Sequence, residues 1–223
     1  MKPNETMWNT PPDDDSEHVG GAEETPLRAD AFEKDDELKI ELIEKHFREI
    51  MQILGMDLED DSLSGTPHRV AKMYVKEVFA GLNPENKPVA RLFDNKYKYD
   101  QMLVEKEITF YSYCEHHFVP IFGKAHVAYY SGGKVIGLSK INRIVQYYAK
   151  RPQVQERLTV QIAKELKQVL ETEDVAVVMD ATHLCVASRG VGDTNSQTGT
   201  AYFGGKFKDQ QVRNEFLNYI NAS

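Results

Sequence analysis

Two short stretches carry the residues best suited to chemistry. One is "SYCEHHFVP", Ser112 to Pro120, where Cys114 stands three residues before His117 with His116 between them. The other is "ATHLCVASRG", where His183 stands two residues before Cys185. These are the only two cysteines of the chain, and both sit beside histidines. Cys-x-x-His on a turn brings a thiolate and an imidazole within reach of one ion, and a cysteine from a distant strand can complete a three-ligand set. Sulfur with one nitrogen favours zinc over magnesium or calcium. Three protein ligands leave a fourth position for water, which zinc makes acidic near neutral pH. Adjacent side chains on an extended turn do not easily share one small ion, so either His116 or His117 ligates, and the spacing favours His117. His116 and His183 are then left to carry protons, for which imidazole is suited. Two plainer readings stand beside this one. The cysteines can be buried small hydrophobes near histidines by chance, or His183 can be the fourth ligand of a closed structural site.

The elements that must position these clusters are legible from periodicity and punctuation. Residues 1–33 are polar, acidic and rich in Pro and Gly, and are expected to be a disordered tail. Residues 1–37 hold 12 acidic and 3 basic side chains, which more than accounts for the net charge of −8 over 223 residues. The remainder is nearly neutral, which argues against a broad nucleic-acid surface. No apolar run is long enough for a membrane helix. The N-terminus lacks the apolar core of a secretory signal, so a cytoplasmic, reducing location is expected.

From Asp35 the apolar residues Leu38, Leu42, Ile43, Phe47, Ile50, Met51 and Leu54 recur at helical spacing, with Gly55 as a stop. "TPHRVAKMYVKEVFAGL" predicts a second helix capped by Thr66, with Pro67 in its first turn and Gly81 at its end. Its polar face carries His68, Arg69 and Lys72. Residues 34–82 thus form an N-terminal helical region. Beyond it, "MLVEKEITFYSY" and "FVPIFGKAHVAYYSGGKVIG" predict strands and a hairpin with a Gly132-Gly133 turn. Two helices follow, with Ile141, Ile144, Val145 and Tyr148 inward on one and Val154, Leu158, Ile162, Leu166 and Val169 on the other. "DVAVVMDATHLCVASRG" and "GTAYFGGKF" predict two more strands, and a short helix closes the chain. The fold class is α+β. Ser139, Lys140 and Arg143 at the start of one helix make a candidate anion site. Glu156 can accept two parallel N–H bonds from the Watson–Crick edge of guanine; a salt-bridged surface helix pair is the plainer reading of that segment. There is no G-x-x-x-x-G-K-[ST] and no G-x-S-x-G.

Taken together, "CEHHFVPIFGKAHVAYY", "VIGLSKINRIVQYYAKRPQVQERLT", "DATHLCVASRG" and "TPHRVAKMYVKEVFAGL" resemble the GTP cyclohydrolase I family, from about Asp35 to the C-terminus. The resemblance implies hydrolysis of GTP to formate and 7,8-dihydroneopterin triphosphate, the first step of tetrahydrofolate and pterin synthesis. It implies the tunnelling fold: an antiparallel sheet with two helices on one face, joined to neighbouring sheets as a barrel in a homodecamer of two pentamers. Residues 83–223 would be that catalytic domain. Carried onto matching positions, zinc belongs to Cys114, His117 and Cys185, and proton transfer to His116 and His183. Guanine belongs to Glu156 with backbone help near Gln155, and the triphosphate to Arg69, Lys72, Ser139, Lys140, Arg143 and Arg189. "TNSQTGT" keeps the spaced Ser196, Thr198 and Thr200, whereas Gly199 and Ala201 stand where relatives often carry hydroxyls. Two rivals remain: a tunnelling-fold nitrile reductase of queuosine synthesis, and a zinc-stabilised binding protein without activity.

Overall fold

The computed structural model describes residues 22–222. Helix α1 (Asp36–Ile53) begins where the Asp35 carboxylate accepts the Leu38 amide at 2.8 Å, and the chain turns out of it at Gly55, whose φ is +81°. A single turn, α2 (Asp61–Ser64), leads into α3 (Thr66–Met73). The cap differs from expectation: Gly65 holds the N-cap position and Thr66 is already helical. The helix then widens into a π turn at Tyr74–Val78 and a 3-10 turn at Ala80–Leu82 instead of running evenly to Gly81. Gly81 has a packing duty. Its N–H donates to the Lys150 carbonyl at 2.9 Å, and a Cβ there would overlap the Tyr147 carbonyl oxygen.

The remaining elements are β1 (Leu92–Asp94), β2 (Leu103–Cys114), β3 (Pro120–Tyr129), β4 (Lys134–Ile136), α4 (Leu138–Ala149), β5 (Pro152–Gln153), α5 (Gln155–Leu170), β6 (Val175–His183), α6 (Leu184–Ala187), β7 (Thr198–Phe203) and α7 (Gln210–Asn221). The main sheet has the order β5-β2-β3-β6-β7. All its neighbours are antiparallel except the short β5, which runs parallel to the end of β2. Alternation along the strands divides two cores. Phe110, Ala125, Val127, Val177 and Met179 face α4 and α5, where Ile141, Ile144, Ile162 and Leu166 meet them. Ala128, Ala176 and Val178 face the other way, against Phe207 and Phe216 of the C-terminal segment. The chain is therefore α+β, with two helices on one face of the sheet as expected.

Gly132-Gly133 does not close a hairpin onto β3. Both edges of β3 are already taken, by β2 and β6, so β4 pairs instead with β1 in a separate ribbon, Leu92 opposite Ile136. Ser131 shapes the turn locally: its hydroxyl donates to the Lys134 carbonyl at 2.8 Å and accepts from the Gly133 amide at 3.1 Å. The β2–β3 hairpin is closed by residues 115–119, the Glu-His-His loop itself. Among the described residues no helix is long and apolar enough to cross a membrane. Most of the expected acidic tail, residues 1–21, lies outside the described residues.

Candidate metal centre and acid–base site

β2 delivers Cys114 buried at its last position, and the loop after it folds back tightly. The Cys114 amide donates to the Val119 carbonyl at 2.9 Å, the Phe118 amide donates to the Cys114 carbonyl at 2.8 Å, and Phe118 takes φ +52°. This closure points His117 back at Cys114, with Nδ1 3.8 Å from Sγ. Cys185 arrives from across the sheet. β6 pairs with β3 such that His183 stands opposite Ile121, and α6 then turns Cys185 inward. Sequence reasoning placed Cys185 on a strand. It lies on a helical turn, because β6 ends at His183 and a single turn swings the thiol toward β2.

The ligand atoms of Cys114, His117 and Cys185 all lie within 4.8 Å of one another. Zn–S of about 2.3 Å and Zn–N of about 2.0–2.1 Å at a tetrahedral angle put sulfur and nitrogen roughly 3.6 Å apart. The observed 3.8 Å between Cys114 Sγ and His117 Nδ1 matches that spacing. Burial and the adjacent Cys114 push the Cys185 thiol up to about 11. Without a cation Cys185 resists ionising; a divalent ion beside it reverses that preference. The donor set therefore fits a soft, tetrahedral metal.

His116 and His183 flank the cluster without joining it. His116 Nδ1 is 3.7 Å from Cys114 Sγ, and its Nε2 is 3.7 Å from Glu115 Oε1. His183 is half-buried at the end of β6, with Nε2 2.7 Å from Gln155 Oε1. Burial lowers its pKa, and the nearby Glu156 carboxylate partly offsets this. Glu156 itself is exposed in the first turn of α5. Arg189, in the loop after α6, reaches the cluster: its NH1 lies 2.9 Å from His117 Nε2.

Ser139, Lys140 and Arg143 are not brought there. Gln146 of α4 donates to the Thr109 carbonyl, and Ser112 donates to the Arg151 carbonyl, so α4 runs in the same direction as β2. Ser139, Lys140 and Arg143 lie at its N-terminal end, pointing back along β2 away from Cys114. Rises of about 1.5 Å per helical residue and about 3.3 Å per strand residue place them roughly 20–25 Å from that cysteine. Arg143 instead lines a cavity of about 360 Å³ with Lys76, Lys150, Asn86 and Tyr147. Arg69 folds over its own helix, donating to Thr66 Oγ1 at 2.9 Å and to the Ser62 carbonyl at 3.3 Å, and Lys72 is exposed.

Sequence reasoning missed the brace behind the loop. Arg157, with 3% of its side chain exposed, grips Glu115 through both terminal nitrogens at 2.5 and 3.2 Å. Its third nitrogen, Nε, donates to the Ala22 carbonyl at 2.8 Å. The sequence carried little signal for it: α5 also buries Gln155, Thr159, Gln161 and Glu165, so Arg157 did not stand out from an apolar stripe, although a buried charge must be paired.

Comparison with known proteins agrees with this geometry. A family model described as GTP cyclohydrolase I matches residues 43–221. A protein of Flavobacterium johnsoniae named GTP cyclohydrolase 1 is 64% identical over 203 residues, covering 91% of each chain. One of the same name from Salmonella arizonae is 56% identical over 198 residues, covering 88% of this chain and 89% of its own. A site of two cysteines and a histidine rimmed by two further histidines thus sits in a chain that belongs to the GTP cyclohydrolase I family.

Proposed function

We propose that this chain hydrolyses GTP to formate and 7,8-dihydroneopterin triphosphate, feeding tetrahydrofolate and pterin synthesis, with zinc held by Cys114, His117 and Cys185. The observation that carries the reading is the Cys-His-Cys cluster with His116 and His183 at its edge, in a chain of this family. Bound there, zinc supplies a water activated as a nucleophile near neutral pH. His183 gives a proton to the guanine ring nitrogen beside the carbon that leaves as formate, and His116 assists opening of the ribose. Glu156 pairs with the guanine edge through two parallel N–H bonds, and Arg189 offers its guanidinium to phosphate. A nitrile reductase needs a nucleophilic cysteine, and both cysteines of this chain are drawn into one cluster. Thiolate ligands suit a reducing, cytoplasmic setting.

The separation of Ser139, Lys140 and Arg143 from the cluster supports a site shared between copies. In this reading their anion site, with Arg69 and Lys72, serves the triphosphate of a neighbouring chain. The assembly is the tunnelling-fold barrel of a decamer of two pentamers, with residues 34–82 as helical region and 83–223 as catalytic domain. The edge of β7 and the part of β2 that the two-residue β5 leaves unpaired are available for such joining.

The test is turnover of GTP by the purified chain, followed by fluorescence of the oxidised pterin, with metal content measured in parallel. The wild type forms a fluorescent product and carries about one zinc per chain. Cys185→Ser loses both, because a neutral hydroxyl replaces a thiolate. Full zinc occupancy and normal turnover in that variant would remove Cys185 from the ligand set, and wild-type protein that binds zinc without consuming GTP would leave only a binding protein.

A further inference from the structure

Gln155 opens α5 with 2% of its surface exposed, and every polar atom of its amide is engaged. Nε2 lies 2.8 Å from the Thr198 carbonyl, 3.1 Å from the Met179 carbonyl and 3.1 Å from Thr200 Oγ1. Carbonyl oxygens only accept, so this end of the amide is the nitrogen. The hydroxyls around it assign themselves in turn. Thr159 donates to the Gln155 carbonyl at 2.8 Å. Thr200, 2.7 Å away, therefore donates to Thr159 and keeps a lone pair for the Gln155 amide. The opposite end of the amide is then an oxygen with no hydrogen to give, and it faces His183 Nε2 at 2.7 Å. Contact at that distance requires the hydrogen to sit on Nε2.

We propose that Gln155 is a positioning residue: it fixes the tautomer of His183, so that Nδ1 is the nitrogen that takes up a proton from the attacking water and passes it to the guanine ring nitrogen, while the Nε2 hydrogen stays with Gln155. This rests on the GTP cyclohydrolase reading for the identity of the reaction. It gives the Gln155 side chain a role of its own, beside the backbone help to guanine that the family resemblance implies near this residue. A side chain whose two N–H groups already share three acceptors, and whose oxygen holds an imidazole, has no donor left for guanine. Thr198 and Thr200 of "TNSQTGT" acquire a purpose as well, as the fixed points on β7 that stop the amide from turning over. A flipped amide would set its NH2 against Nε2 and move the ring hydrogen to Nδ1, which could then no longer take up the proton of the attacking water.

The experiment is solid-state nitrogen NMR of zinc-loaded protein labelled in the histidine rings, at about pH 8, above the ordinary imidazole range near 6.5. The His183 signals are identified as those missing from His183→Gln. The expected result is a protonated Nε2 and an unprotonated Nδ1; the reverse in wild-type protein overturns the inference. Gln155→Met, of similar length but without an acceptor, is expected to mix the two tautomers. Its kcat should fall roughly tenfold to a hundredfold, the cost of a misplaced catalytic group, with KM for GTP and zinc content retained. Gln155→Glu keeps an acceptor for Nε2 and is expected to hold the wild-type tautomer and to keep more activity than Gln155→Met. A single unchanged tautomer with unchanged kcat in Gln155→Met overturns the inference. Wild-type protein without GTP turnover would sink the proposed function instead, and the tautomer measurement would still decide the role of Gln155.

Discussion

His183 and His117 differ less in type than in what surrounds them. His117 shares a tight loop with Cys114 and faces its sulfur, whereas the nearest polar partner of His183 is the Gln155 amide at 2.7 Å. Loss of each should therefore fail in a different way. His183→Ala is expected to keep its zinc and to bind GTP, while ring opening slows by about two to four orders of magnitude, the usual worth of a positioned acid or base. Metal analysis beside single-turnover kinetics checks it, and loss of zinc in that variant would make His183 a fourth ligand of a structural site. At this scale the sequence was informative where spacing alone decides. Cys114 and His117 are three apart, so any closed turn brings them together. It was uninformative about Glu115 and Arg157, because a pairing across 42 positions depends on how α5 docks. The charge of Arg157 demanded a partner but did not name one.

Among the elements, β2 is the one under most constraint. It is long, it carries Cys114 at its end, and it breaks register at a bulge between Glu105 and Ile108, where Glu107 takes φ +61°. His126 on β3 stabilises the bulge: its Nδ1 accepts the Glu107 amide at 3.3 Å, and the ring is buried. Burial lowers the His126 pKa, outweighing the Glu107 and Asp180 carboxylates that favour its charge; Lys106 and Lys124 add to the lowering. The sign follows directly. The unfolded imidazole takes up its proton near pH 6.5, while the folded one resists until lower pH, so stability falls as the medium is acidified below about 6.5. Urea unfolding at pH 7.5 and 5.5 should show His126→Gln losing less stability on acidification than wild type, by on the order of 1 kcal/mol. An equal loss in both would exclude His126 as the cause. Bulges of this kind leave little trace in a hydrophobic pattern, and the same is true of α6 and of the β1–β4 ribbon. Gly132-Gly133 correctly signalled a turn, but a turn does not say which strand comes next to which. That was decided by β6 occupying the remaining edge of β3. The long helices were legible for the opposite reason: α4 and α5 bury stripes that recur every three or four residues, and α1 has the same spacing, although it buries only Ile40 and Met51 and leaves Leu38, Leu42 and Ile50 exposed.

For the whole molecule, the geometric fact that matters most is the distance between the metal cluster and the N-terminal end of α4. The shared-site proposal gives it a measurable form. Arg69→Ala and Cys185→Ser chains should each be nearly inactive alone, whereas co-expressed mixtures should recover partial activity at sites that combine an intact cluster with an intact arginine. Native mass measurement should find about ten chains per particle. A fully active monomer, or no recovery in well-mixed hybrids, would return the whole site to one chain and leave the cysteine and histidine chemistry intact. The open edge of β7, the length of β2 that β5 leaves unpaired, and the exposed apolar residues of α1, among them Leu38, Ile50 and Ile53, are features that a lone chain would leave in water.

The same distance has a consequence for how much catalyst a given amount of protein represents. If the anion site and the metal cluster of one working centre come from different chains, activity per chain is governed by mass action. On dilution, turnover would vanish while zinc content and helical signal persisted, and concentration would restore it. A chain damaged only at Arg143 would spoil a centre that is not its own while its own cluster, served by an intact neighbour, kept working, so faulty copies would silence sites in proportion to their number but never the centre that holds their own cluster.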